Sequence, residues 1–320
     1  MPDTTLTPIE VAEILKISKN TVYELIKRGE LNCYKVGKKL RIDLKDVEEY
    51  KNSTKSIKVK SNMDKPAFNP IVANNSAILN ETMPYGSNIV ICGQDVMLDI
   101  LSRHLQCHPN GIQALRSYVG SYNGLYELYM GRVHAATAHL WDGETGIYNI
   151  PYVKRLLPGI ETIIIHLAVR MQGFYVAKGN PKNIKDWQDL KRQDIVLINR
   201  EKGSGSRILL DEHLRKLNVL SSSLQGYERE CSTHLAVASA VARGSADLAI
   251  GNEKTGLQVN GVDFIPLQKE RYELVLKKED LSKPHFQALV NIINSEEFRI
   301  ELEGIGGYDL TELGKIVAET

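Results

Sequence analysis

The sequence predicts an α/β protein with a small helix-turn-helix unit at its N-terminus, and three observations predict it. Beyond residue 88, apolar strand-like runs alternate with amphipathic helical patterns, as in sheets with helices on both faces. Residues 1–52 hold two short helical patterns, a basic hairpin and a third helix. Between them, residues 53–87 are rich in Ser, Asn, Lys and Pro and show no sustained periodicity, the texture of a linker with room for a short segment that pairs two chains. A chain of 320 residues is long for one core, so more than one domain is expected. The expected domains are 1–52, a linker over 53–87, and 88–320.

In the N-terminal unit, Thr7-Pro8-Ile9-Glu10 opens a helix with a hydroxyl cap, a proline in the first turn and a glutamate placed for a capping box. Val11, Ile14 and Leu15 form its apolar stripe. Ser18 caps a second helix that turns Val22, Leu25 and Ile26 inward and leaves Asn20, Thr21, Tyr23, Lys27 and Arg28 outside, and Gly29 ends it. Residues 33–42 read as a hairpin with Lys35, Lys38, Lys39 and Arg41 on and around its Gly37 tip, and Asp43 caps a last helix with Leu44, Val47 and Tyr50 inward. Residues 1–60 hold 13 Lys/Arg against 9 Asp/Glu, a net of +4, while the remainder nets −3. The basic head on a mildly acidic body points to a polyanion contact at the N-terminus only.

In the body, residues 88–92, 113–119, 195–199 and 246–250 read as strands, and 131–140 as a helix end followed by a strand. Four strand-to-helix junctions carry small or polar side chains: Gly93-Gln94-Asp95, Ser121-Tyr122-Asn123, Ser204-Gly205-Ser206-Arg207 and Ser232-Thr233-His234. Helix N-termini present unpaired N–H groups and partial positive charge, so junctions of this kind suit an anion beyond the carboxyl ends of the strands. Each serine or threonine also serves as an ordinary cap of its own helix. The expected ligand-binding set is Gln94, Asp95, Ser121, Tyr122, Ser204, Ser206, Arg207, Thr233 and His234.

Other classes find little support. The sequence holds no GxSxG, HExxH or GxxxxGK[ST] motif, and the Gly203–Arg207 loop lacks the lysine of a phosphate-binding P-loop, so no enzyme is expected. Asp142, Glu144 and Tyr148 read as turn residues. Cys33, Cys92, Cys107 and Cys231 are scattered, as in a reduced cytosolic protein. His104, Cys107 and His108 have helical spacing but read as a surface helix end rather than a metal site. The N-terminus lacks the pattern of a signal peptide, and the most apolar stretch, 162–177, is interrupted by His166 and Arg170 and is too short to span a bilayer. No cofactor, metal or membrane partner is expected, and the location is expected to be cytoplasmic.

Residues 7–50, TPIEVAEILKISKNTVYELIKRGELNCYKVGKKLRIDLKDVEEY, resemble the winged helix-turn-helix of the excisionase and MerR-like group. The resemblance implies double-stranded DNA as partner. Ser18, Lys19, Asn20, Thr21, Tyr23, Lys27 and Arg28 would lie along the major groove, with Lys35, Lys38, Lys39 and Arg41 around the wing near phosphates. One such unit reads few bases, so a homodimer or higher homo-oligomer on paired half-sites is expected. Residues 88–310, with INREKGSGSRILLDEHL, AHLWDGETGIYNIPYV and THLAVASAVARGSADLAIG, resemble a two-lobed domain of the periplasmic-binding-protein type, found fused to excisionase-type heads and to molybdopterin-biosynthesis proteins.

That resemblance implies lobe one at about 88–168 and 258–320, lobe two at about 169–257, and crossings near 162–178 and 264–276. It also implies a transcriptional regulator that senses a small anion in the interlobe cleft, molybdate or tungstate being the expected effector. Where such domains commonly read Gly-Ser-His-Asp at the first junction, this chain has Gly93-Gln94-Asp95. A zwitterion or organic carboxylate, with Arg207 on the carboxylate and Asp95 on an ammonium, is therefore one alternative. An excisionase-like architectural protein with a non-sensing body is another.

Overall fold

The computed structural model describes residues 5–27, 31–37, 39–54 and 88–320. The chain divides into two compact units, 1–69 and 70–320. In the first unit, β1 (Thr5–Leu6) precedes α1 (Pro8–Leu15), α2 (Lys19–Lys27), β2 (Tyr34–Val36), β3 (Lys39–Asp43) and α3 (Leu44–Thr54). The three strands form an antiparallel sheet in the order β1-β3-β2. Thr7 and Glu10 make the reciprocal capping box, and Lys16 leaves α1 in the left-handed conformation. Val11, Val22, Leu25, Leu31, Ile42 and Val47 close one small core, so the stripes read from the sequence meet.

The second unit runs through β4 (Asn88–Cys92), α4 (Met97–Cys107), β5 (Gln113–Ser117), α5 (Ser121–Tyr129), β6 (Ala135–Ala138), α6 (Ile150–Leu156) and β7 (Thr162–Ala177). Then come β8 (Asn199–Arg200), α7 (Gly205–Leu217), β9 (Glu230–Cys231), α8 (His234–Ala242), β10 (Leu248–Asn252), α9 (Glu253–Gly256) and β11 (Val262–Lys277). Last are α10 (Pro284–Ile293), α11 (Glu296–Ile305) and β12 (Ile316–Glu319). One sheet has the order β10-β7-β11-β6-β4-β5, with β12 on β7. β4 pairs in parallel with β5 and β6, whereas β7, β10, β11 and β12 pair antiparallel.

The two 16-residue strands β7 and β11 run side by side through both lobes. Their 162–169 and 271–277 portions lie in lobe one, against cores built on Ile91, Leu98, Leu101, Leu289, Phe298 and on Val90, Leu125, Ala136. Their other ends lie in lobe two with Phe174, Leu197, Leu210, Val237 and Leu248. Residues Val262 to Pro266 pair with 173–177 of β7, beyond the lobe-one start expected at about 258, and the crossing expected near 264–276 falls inside β11. Antiparallel partners must leave a lobe at the same level, which the sequence of one strand does not reveal. The apolar run 195–198 makes only isolated bridges, Val196 to Gln225 and Leu197 to Leu248, before the short β8. Among the described residues no helix is long and apolar enough to cross a membrane.

Candidate functional site: a donor-lined interlobe cleft

All four predicted junctions reach one cleft between the lobes, with about 360 Å³ of space not filled by atoms, part of it open to solvent. Gly93, Gln94 and Asp95 enter from before α4, Gly120 and Ser121 from the start of α5, Ser204 to Ser206 from the start of α7, and His234 from the start of α8. Thr233 caps α8 through its hydroxyl and lines a wider outer cavity at the cleft mouth, which shares Gln94, Asp95, His234 and Asn252 with the inner one. Each junction follows a strand end, so the sheets aim the helix N-termini at a common point.

The lobes touch around this cleft. Tyr122 N donates to the Gly203 carbonyl at 3.0 Å, and Asn123 Nδ2 donates to the Lys202 carbonyl at 3.0 Å. Arg200 Nη2 donates to Gln94 Oε1 at 3.0 Å. Gly205 lies against the His139 ring, where a Cβ would collide.

Asp95 is spent within lobe one and the crossing. Its Oδ2 accepts from Arg170 Nη1 at 2.6 Å, and its Oδ1 accepts from the Tyr308 hydroxyl at 2.6 Å and from Met97 N at 2.9 Å. Arg170 Nη2 also lies 2.6 Å from Glu270 Oε1, an ion pair whose N–H is not aligned on the oxygen, and the guanidinium sits 3.8 Å over the Tyr272 ring. Glu270 in turn meets His139 Nδ1 at 2.6 Å and accepts from Gln172 Nε2 at 2.8 Å. Burial opposes its ionisation, but Arg170 and His139 outweigh that and hold the carboxyl at about 2. Ser206 Oγ donates to Gln172 Oε1 at 3.3 Å, so one polar chain runs from lobe one through the crossing strands to lobe two.

The predicted residues divide accordingly. Gln94, Asp95, Ser121, Ser204, Ser206 and His234 line the inner cleft and Thr233 the outer one, whereas Tyr122 and Arg207 line neither. Arg207 points into lobe two: Nη1 donates to Glu230 Oε1 at 3.2 Å and to the Arg200 carbonyl at 3.3 Å, and the guanidinium lies 4.0 Å over Tyr227. As the third residue of α7, its side chain leaves the helix on the face away from the cleft, where Ser206 points inward. Tyr122 is 38% exposed, and its backbone N–H bonds to the other lobe.

Sequence reasoning missed Thr137, His139, Arg170, Arg200, Asn252 and Tyr272, all of which line the cleft. Arg170 had a signal, since a charge inside an apolar run implies a buried partner. Arg200 and His139 had only proximity to the loops.

In the N-terminal unit, Ser18 Oγ accepts from Thr21 N at 3.2 Å as the cap of α2. Lys19, Asn20, Thr21, Tyr23 and Lys27 are exposed on that helix, and Lys35 and Lys39 are exposed on the hairpin. Arg41 is half-buried, with Nη1 on the Leu40 carbonyl at 3.2 Å. Arg28, Gly29 and Lys38, and all of the linker beyond residue 54, lie outside the described residues. Among the described residues no group of three His, Cys, Asp or Glu is placed to hold a metal ion.

A helix-turn-helix unit followed by two lobes that close on a polar cleft defines a DNA-binding chain with a small-ligand-binding domain. The chain belongs to the family described as PBP superfamily domain, which matches residues 102–294, and a helix-turn-helix domain matches residues 5–55. The uncharacterized protein YvgK of Bacillus subtilis is 43% identical over 315 residues, 97% of each chain. Among solved structures, a phosphate ABC transporter substrate-binding protein with bound phosphate from Clostridium perfringens aligns over 69% of this chain and 98% of its own, at 14% identity and a TM-score of 0.52. The sulfate-binding protein SubI of Mycobacterium tuberculosis aligns over 70% of this chain and 86% of its own, at 17% identity and a TM-score of 0.52. At these identities the likeness is one of fold.

Proposed function

We propose that this chain is a cytoplasmic transcriptional regulator whose winged unit binds double-stranded DNA and whose interlobe cleft senses a small tetrahedral oxyanion, with molybdate or tungstate the first candidates. The observation that carries this reading is the convergence of three helix starts, with Ser121, Ser204 and Ser206 among the lining residues, and of the Gly93–Asp95 loop before α4 on one cleft. The named ligands of the two solved relatives, phosphate and sulfate, belong to the same chemical class.

A zwitterion fits less well. Its ammonium needs a carboxylate with a free oxygen, but both Asp95 oxygens are engaged by Arg170, Tyr308 and Met97. Glu270 is likewise committed to Arg170, His139 and Gln172. Arg207, the expected carboxylate partner, is committed to Glu230. An architectural protein with a non-sensing body would have no use for a cleft lined by buried polar groups, which cost stability to desolvate.

In the proposed mechanism the oxyanion favours closed lobes, and closure shifts the spacing of two DNA-binding units in a dimer. Thermal-shift measurement against molybdate, tungstate, sulfate, phosphate and amino acids tests the ligand class. A stabilisation of about 5–10 °C is expected with a saturating oxyanion, at roughly a hundredfold excess over Kd. A shift with amino acids only would overturn the oxyanion class, and no shift with any of them would favour the architectural reading. Because coupling is reciprocal, operator DNA should change oxyanion affinity by the same factor that the oxyanion changes DNA affinity.

A further inference from the structure

The arginines and carboxylates around the cleft are already paired. Arg170 is shared by Asp95 and Glu270, and Arg200 pairs with Glu201 at 2.8 Å, so two arginines face three carboxylates among the described residues. His139 sits on Glu270. In the outer cavity, Asp99 pairs with Arg116 at 2.5 Å, and Lys254 Nζ donates to the carbonyls of Ile305 at 2.9 Å and Gly306 at 2.7 Å. Those carbonyls are neutral, so Lys254 is a lining cation without a carboxylate partner among the described residues, and its single charge does not balance a dianion.

His234 is a second source of positive charge. It opens α8, is 9% exposed, and lines both the inner and the outer cavity. Its Nδ1 is enclosed and has no hydrogen-bond partner among the described residues. The titratable groups that line the two cavities with it are Arg200 from β8, Arg170 from β7, His139 after β6, Asp95 before α4, Asp99 from α4, Tyr118 after β5, Lys254 from α9, the Tyr272 phenol from β11 and Tyr308 after α11. Burial first, and then Arg200, His139 and Arg170, hold its imidazole neutral well below the ordinary histidine range.

We propose that His234 takes up one proton from solvent when a dianionic oxyanion enters the cleft, so that the imidazolium adds a second positive charge to that of Lys254. The inference rests on the oxyanion reading of the cleft. Its balance is simple: dianion, neutral imidazole and one solvent proton become a complex in which the proton is the second N–H of His234, and no bond of the oxyanion changes. The dianion beside the ring raises its proton affinity by the same charge effect through which Arg200 and Arg170 lower it.

The test is isothermal titration of the full chain with sodium molybdate and with sodium sulfate at pH 7.5, in PIPES and in Tris, whose ionisation heats differ. The wild-type heat is expected to change between buffers by about one proton per oxyanion bound, and affinity to fall about tenfold per unit of rising pH. His234→Gln, which keeps an amide donor but cannot titrate, is expected to give buffer-independent heats and a flat pH profile. Where that variant does not bind, proton NMR decides: the imidazole Cε1–H signal absent from the variant belongs to His234, and in the wild type it must move to the imidazolium position on saturation. Buffer-independent heat in the wild type, or a His234 signal that stays neutral, overturns proton uptake while leaving the oxyanion reading standing. No heat with either oxyanion overturns both.

Discussion

Gly120 of lobe one lies against Ser204 of lobe two so closely that a Cβ on Gly120 would sit 2.6 Å from the Ser204 Cα. Backbone meets backbone there, with no flexible side chain to give way. Gly120→Ala should therefore hold the lobes apart while leaving each lobe folded. Overpacking of this kind costs about 1–3 kcal/mol, so oxyanion affinity should drop roughly 5- to 150-fold with little change in the melting temperature of the unliganded protein. Titration calorimetry and a thermal melt on the same preparation check both halves.

Asp95→Asn separates the oxyanion from the zwitterion. The substitution removes one negative charge from the cleft wall and breaks the buried pair with Arg170, which should destabilise the fold by about 3–5 kcal/mol. In the protein that stays folded, oxyanion affinity should rise, whereas an ammonium-bearing ligand would lose its partner. Urea unfolding combined with ligand titration tests the two effects separately.

Arg207→Ala should act on stability and not on the ligand. The side chain is 2% exposed, stacks on Tyr227 and pairs with Glu230, so truncation should cost roughly 2–4 kcal/mol by removing buried packing and the cation–π stacking. Ligand affinity measured well below the lowered melting point should stay within a few-fold of the wild type.

Burial holds His134, His213 and His234 below the ordinary histidine value of 6.5. On unfolding they return to it, so between the two values the unfolded chain binds more protons than the folded one. Stability should thus be fully present above pH 6.5 and fall as pH drops through and below it. Melting temperatures measured between pH 8 and pH 5 should show the decline. The imidazole of His213 is stacked between Trp187 at 3.7 Å and Trp141 at 4.7 Å, so tryptophan emission follows the same transition.

In the winged unit, Lys35→Ala combined with Lys39→Ala should weaken operator binding and reduce the salt slope by about 2, one for each phosphate that is no longer neutralised. Affinity measured at several salt concentrations decides it, and an unchanged slope would remove the hairpin from the DNA interface.

The local rules of the chain were legible because they are set by neighbours in sequence. The Thr7 capping box, the Ser18 cap, the 88–92 strand and the four junction loops each follow from residue spacing, and each forms as read. Which side chains enter the cleft was decided by tertiary structure alone. Ser206 and Arg207 are adjacent, yet a helix turns consecutive side chains about 100° apart, so one faces Gln172 at the crossing and the other is buried against Tyr227 in lobe two. Arg170 and Glu270 lie a hundred residues apart in sequence and come within 2.6 Å only because β7 and β11 cross between the lobes in register. The sequence by itself determined that helix starts would gather at the ends of the strands. Only the pairing of those two strands decided that the charges there are already spent on each other, because charge balance depends on distances that no local pattern encodes.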